Sequence, residues 1–185
     1  KAQLLEPTAR ALASVRGVDL DAERFLRVIR DDSGLLTGWG VDSYGFMHLG
    51  FQEYLTARHL RSEGLVDAQV FAALAERFDD SWWQEVILLM LALRDPPVFE
   101  PFMRAVAQRP EFSRWIDSEM MQLCLRETAK VSLAPFVEAL SKPAQDVHSA
   151  VANMIARGDI SMALVDAAIG ELEPSLRPIL QSATT

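Results

Sequence analysis

The stretch GLLTGWGVDSYGFMHL, residues 34–49, decides how this chain of 185 residues folds, because it interrupts an otherwise helical pattern. It contains four of the nine glycines and places two short apolar runs on either side of a Gly/Asp/Ser turn. Turn residues of this kind between apolar runs are typical of a β-hairpin. The sequence therefore predicts a hairpin here, and no other part of it carries a comparable strand signal.

The segments on either side of this stretch have the spacing of amphipathic helices. Upstream, apolar residues recur at steps of three and four in two segments, and Asp19 or Asp21 is a candidate N-cap of the second. Downstream, a helix is predicted over residues 51–61, with Gly64 as its stop signal. Two helices, a hairpin and a further helix are the element order of a winged-helix module. We therefore assign residues 1–63 to a winged-helix-like portion.

The remainder, residues 64–185, has a helical pattern throughout, with short connections. Ser81 and Gln84 fit a capping box at the start of one helix. Helices joined by short loops indicate stacked antiparallel pairs. Because no clean repeat period is found, we predict a mainly α protein whose winged-helix-like portion precedes an irregular HEAT/armadillo-like array. The helices predicted beyond residue 64 span 67–78, 81–93, 100–109, 111–128, 132–141, 144–157, 161–171 and 174–182.

Charge and composition exclude several classes of function. Eighteen Lys and Arg against 26 Asp and Glu give a formal net charge of −8, so the chain lacks a basic surface for nucleic acid or anionic lipid. The longest apolar run, residues 86–93, is too short to cross a membrane. Cys124 is the single cysteine, so no internal disulfide forms. We expect a soluble, cytoplasmic protein, and the start at Lys1 indicates a piece of a longer protein or a processed chain.

A family resemblance becomes specific at the end of the predicted hairpin, in YGFMHLGFQEYLTA, residues 44–57. This segment is similar to the Phe-x-His-x-x-Phe-Gln-Glu-Tyr-x-Ala-Ala pattern of NACHT-type STAND NTPases, switch ATPases related to inflammasome receptors and bacterial anti-phage proteins. Thr56 stands where that family commonly has Ala. SGLL at residues 33–36 and WQEVILL at residues 83–89 resemble further family segments, so the similarity covers roughly residues 30–93.

The resemblance implies a position within a larger machine. In this family the motif lies in a winged-helix domain C-terminal to the ATPase domain, and the motif histidine, matched here by His48, contacts the β-phosphate of bound ADP in the resting state. The pattern is compatible with that role, because His48 ends a predicted strand just before a helix, where backbone N–H groups favour an anion. The alternative for His48 is a core histidine whose ring bonds a backbone carbonyl.

The resemblance also implies that these residues are not themselves an NTPase. The family's phosphate-binding Gly-x-x-x-x-Gly-Lys-Ser/Thr loop is missing, since the sequence contains no Gly-Lys dipeptide. We expect no catalytic residue and no cofactor in this segment, with ADP or ATP and Mg²⁺ bound only in the intact protein. The expected partners are an upstream ATPase domain of the same protein and a protein trigger or effector, in a signalling role related to bacterial defence.

The leading hypothesis is therefore a non-catalytic regulatory segment that closes on ADP in the intact protein and relays the switch to partner domains. The alternative is a stand-alone all-helical scaffold that binds a protein partner, in which the motif survives only as packing. A third hypothesis is an enzyme with a new site in a helical cleft.

The remaining candidate residues have plainer explanations. His48, His59 and His148 lack the spacing of metal ligands, so no metal site is expected. The adjacent Trp82 and Trp83 cannot both face one side of a helix, so one of them is expected to point outward, toward an interdomain contact. Four apolar residues of the helix after the hairpin recur at helical spacing and are predicted to face the core. They are Phe51, Tyr54, Leu55 and Leu60.

Overall fold

A computed structural model describes residues 2–17, 21–38, 44–140 and 157. Within these ranges the chain forms nine α-helices and one two-stranded antiparallel sheet, which confirms the predicted mainly α fold with a single hairpin. The helices predicted over 144–157, 161–171 and 174–182 lie outside the described residues, apart from Arg157. The chain divides into two compact units, Lys1–Leu55 (the first unit) and Thr56–Thr185 (the second unit).

The first unit has the predicted order of helices and strands. Asp21 is the N-cap of the second helix, because its Oδ1 accepts the backbone N–H of Arg24 at 2.8 Å. In the hairpin, Leu36 pairs with Phe46 and Gly38 with Tyr44. The elements are α1 (Ala2–Ala13), α2 (Ala22–Asp31), β1 (Leu36–Gly38), β2 (Tyr44–Phe46) and α3 (Leu49–Val66).

Arg30 connects the end of α2 to the hairpin. Its guanidinium donates to both carboxylate oxygens of Asp31, at 2.6 and 2.8 Å, and its central carbon lies 5.8 Å from the centroid of the Tyr44 ring. The hydrogen bond from Arg30 holds the pKa of the Asp31 carboxyl below its usual range. The exposed ion pair thus orients the guanidinium toward the wing.

Within its described residues, the second unit contains six further helices. The predicted helix over 111–128 is wrong as a single element, because Ser118 starts a new helix by accepting the backbone N–H of Met121 through its Oγ at 3.2 Å. Helix α6 contacts both α4 and α9, and α5 contacts α8. The HEAT/armadillo-like arrangement stays a prediction. The helices are α4 (Ala68–Ala75), α5 (Ser81–Ala92), α6 (Phe99–Ala107), α7 (Phe112–Trp115), α8 (Glu119–Glu127) and α9 (Ala134–Leu140).

A continuous apolar core holds these helices of the second unit together. Phe102 is fully buried, and its ring lies 6.1 Å from that of Phe71 and 6.4 Å from that of Phe78. The Phe78 ring in turn lies 5.4 Å from Trp115. Aromatic contacts of this kind add to the free energy already gained by burying the rings. In contrast, among the described residues of the first unit, Leu26 alone is fully buried.

The capping box predicted at Ser81 is one residue out of register. Asp80 is the N-cap of α5, since its Oδ1 accepts the backbone N–H of Trp82 at 3.0 Å, and Ser81 is the first helical residue. A carboxylate at this position also interacts favourably with the positive end of the helix. Asp80 is therefore a structural residue as well as a surface charge.

Gly64 is not the stop signal predicted for α3. The helix continues through it to Val66, and a Cβ at Gly64 would clash with the ring of Phe71. Glycine is required here because the Phe71 ring sits directly against the helix backbone. Helix α3 passes through both the division of the units after residue 55 and the domain boundary predicted after residue 63, and that boundary stays a prediction.

Replacing Gly64 by alanine should destabilise the second unit by about 1 to 3 kcal/mol, because the buried Phe71 ring has to move. Gly50 lies in the same helix with nothing within 4 Å of the corresponding Cβ, so Gly50→Ala is the matched control and should leave stability unchanged or slightly higher. Urea unfolding of the two variants measures the difference. Equal midpoints for both variants would contradict the close approach of Phe71.

Candidate functional site

His48 lies between the hairpin and helix α3, but β2 ends two residues earlier, at Phe46, so His48 does not end the strand as the sequence predicts. It directly precedes Leu49, the first residue of α3, and its carbonyl oxygen accepts the backbone N–H of Phe51 at 3.2 Å. Its side chain is exposed, and its ring centroid lies 5.7 Å from that of Phe51 with the planes tilted by 56°. This position differs from the buried, carbonyl-bonded histidine of the alternative interpretation.

The first turn of α3 offers further donors beside His48. The first backbone N–H groups of an α-helix have no carbonyl partner within the helix and carry its partial positive charge. The first turn of α3 contains no acidic side chain that would occupy this end. Gly50 keeps the turn open, with nothing within 4 Å of its ideal Cβ position. The imidazole and the start of α3 together form a small exposed set of hydrogen-bond donors.

A patch of exposed apolar side chains surrounds His48 in the sequence. Its members are between 40% and 54% exposed and fall within nine consecutive residues. Scattered apolar residues are normal on a protein surface, but a group of this size marks an interaction site. We define the apolar patch as Met47, Leu49, Phe51, Tyr54 and Leu55.

The predicted orientation of α3 is therefore wrong in its first half. Phe51, Tyr54 and Leu55 are exposed, whereas Leu60 is partly buried and packs against the core of the second unit. Helical spacing correctly places Phe51, Tyr54 and Leu55 on one side of the helix. The spacing alone does not show whether other described residues pack against that side of the helix.

The two adjacent tryptophans of α5 point in different directions, as predicted. Trp82 is 71% exposed, whereas Trp83 is partly buried against the core of the second unit. The single cysteine, Cys124, is buried, and burial raises the pKa of its thiol far above the ordinary value. A thiol in this state is a poor nucleophile. In the residues that the structure describes, no group of three or more His, Cys, Asp or Glu is placed to hold a metal ion.

One protein family matches the part of the chain that contains His48. Residues 2–60 match the family model described as the winged helix-turn-helix domain C-terminal to NACHT. The winged-helix domain spans α1, α2, the hairpin and most of α3, and it includes His48. The resemblance to NACHT-type proteins is thereby confirmed for 59 of the 185 residues.

The family description places this domain downstream of NACHT, so the matched residues are not the catalytic domain. No curated protein and no solved structure matches the chain significantly. None of the helices in the described ranges combines the length and the hydropathy needed to span a bilayer.

Sequence reasoning located His48 through its motif but missed the apolar patch. One feature of the sequence could have revealed the patch, because the apolar residues of α3 are spread around the helix and do not form a single face. A helix with apolar residues on several sides needs more than one covering surface. The second half of α3 finds such a surface in the second unit, where Ala57 is fully buried.

Proposed function

We propose that this chain is a non-catalytic regulatory segment of a NACHT-type signal-transduction ATPase. In this proposal the winged-helix domain closes on the ATPase domain while that domain holds ADP, and the second unit relays the change to partner domains in the cytoplasm. The observation that carries the proposal is the exposed His48 at the start of α3, inside a segment that matches a domain C-terminal to NACHT.

The residues around His48 fit one phosphate contact and no more. A phosphate oxygen needs hydrogen-bond donors and positive potential, which a histidine N–H and the start of a helix supply together. Bound ADP supplies the anionic phosphate. The chain has no Gly-Lys dipeptide and hence no P-loop lysine, so it does not hold a nucleotide by itself. His48 therefore has its role only against a nucleotide held by another domain.

The apolar patch supports the same proposal from a second direction. Its member Phe51 has its ring centroid 5.7 Å from that of His48, so a surface that covers Phe51 also brings its own groups close to the imidazole. Removing these side chains from water would favour the closed arrangement. Closure would also remove water from the contact between His48 and the phosphate, which strengthens a charged hydrogen bond.

In the full-length protein, His48→Ala should weaken the retention of ADP, because one hydrogen bond to a charged phosphate is lost. A bond of this kind corresponds to a rise of about 10- to 100-fold in the dissociation constant. Fluorescent ADP titrated into the purified full-length protein measures this constant. The variant should also activate spontaneously, since the resting state is less stable.

His59→Ala is the matched control, because His59 is an exposed histidine of α3 outside the patch. It should leave the dissociation constant unchanged. Retention of ADP that is equal in His48→Ala and in the unmodified protein would contradict the nucleotide role and favour the stand-alone scaffold.

A second prediction concerns the apolar patch alone. The double variant Phe51→Ser/Leu55→Ser should speed the release of ADP from the full-length protein by about tenfold or more, because two side chains no longer stabilise closure. Leu65→Ser is the control, since Leu65 is exposed to a similar extent on the same helix but lies outside the patch. Stopped-flow release of fluorescent ADP gives both rates, after circular dichroism has shown that each variant is folded. Equal release rates for the double variant and the control would contradict docking through the patch.

A further inference from the structure

A pocket lies within the second unit, at the N-terminal ends of α5 and α8. Its volume is about 180 Å³. Apolar side chains of Phe78, Met120 and Leu123 form one part of its lining, and Phe78 and Met120 belong to the buried core of this unit. None of its lining residues belongs to the family match over residues 2–60. The pocket is thus a feature separate from the surface around His48.

The polar part of the lining is acidic. Asp79, Asp80 and Glu119 all line the pocket. The nearest cation that the structure pairs with them is Arg114, whose Nη2 lies 3.2 Å from Oδ2 of Asp79 while its side chain is 70% exposed. Among the described residues, these three carboxylates outnumber the one guanidinium paired with them, so this part of the lining is net negative.

Two helix N-termini meet at this pocket, and they would favour an anion if their donors were free. Both helices are already capped. The Asp80 carboxylate accepts the backbone N–H of Trp82 in α5, and the Ser118 hydroxyl accepts that of Met121 in α8. Asp80 also places a full negative charge at the start of α5, against the partial positive charge of the helix. The carboxylates therefore decide the sign of the pocket.

We propose that this pocket binds an arginine side chain of a partner polypeptide. The aliphatic stem of the arginine lies against Phe78, Met120 and Leu123, while its guanidinium faces the carboxylates of Asp80 and Glu119. Charge complementarity and the mixed apolar and acidic lining select this occupant over a purely apolar or an anionic one. Within the chain itself, Arg114 already shows a guanidinium at the same rim, on Asp79.

The exposed Trp82 directly follows the pocket residue Ser81 in the sequence. It lies in the first turn of α5, between the pocket residues Ser81 and Gln84 in sequence, and is 71% exposed. Tryptophan and arginine are the residue types that contribute most to protein interfaces, so an exposed indole beside an acidic pocket is a suitable anchor for the residues next to the arginine. This inference does not depend on the role of His48.

The test uses nuclear magnetic resonance of the 185-residue chain. Three acetylated and amidated pentapeptides are titrated, each with alanine at four positions and arginine, norleucine or glutamate at the centre. The arginine peptide should bind with a dissociation constant in the millimolar range, with shifts concentrated on Ser81, Gln84 and Glu119. The norleucine and glutamate peptides should bind more weakly, and added salt should weaken the binding of arginine.

Variants locate the binding. Glu119→Gln should raise the dissociation constant of the arginine peptide about two- to fivefold, the range of an exposed ion pair. Glu63→Gln removes the same charge at an exposed glutamate of α3 outside the pocket lining and should have no effect. The proposal is overturned if the norleucine or glutamate peptide binds as tightly as the arginine peptide, if Glu119→Gln and Glu63→Gln behave alike, or if no peptide shifts the pocket resonances.

Discussion

The start of helix α3 is the constraint on which this account depends. Its first N–H groups have no partner within the helix, and His48 stands directly before them on the surface. The side chains of the apolar patch on the same segment are 40% to 54% exposed. Among the described residues of the first unit, Leu26 is the one buried hydrophobic side chain, so these residues show little core that would draw the patch inward. A polar donor set inside an exposed apolar surface is the arrangement of a contact that another domain completes.

Much of the fold could be predicted because the deciding signals are local. The Gly-, Asp- and Ser-containing sequence between two apolar runs predicts the hairpin, whose strands pair as expected, and Asp21 caps α2 through a bond to a residue three positions away. The predictions are wrong where a contact between residues far apart in the sequence determines the local structure. Glycine commonly ends helices, so the residue type of Gly64 predicts that role. Its actual role is to leave room for the Phe71 ring, which the packing of the second unit places against it.

The site could be predicted only in part, for a related reason. The motif identified His48, because a motif consists of residue types at fixed spacing and His48 occupies the histidine position. The same helical spacing misassigned Phe51, Tyr54 and Leu55, which share a side of α3 but are exposed, while Leu60 packs against the second unit. The periodicity of a helix predicts which of its side chains lie on the same side. Whether that side is buried depends on which other elements of the fold pack against it. The sequence of one helix alone does not show which elements those are.

Hydrogen–deuterium exchange of the full-length protein, with and without ADP, tests the central claim most directly. If the winged-helix domain closes on the nucleotide-bound ATPase domain, ADP should slow the exchange of backbone amides in residues 47–55 by about tenfold or more. Amides in α8 of the second unit serve as the internal reference, and their exchange should not follow that of this segment. Equal exchange of residues 47–55 in the two states, with ADP shown to be bound, would contradict the account.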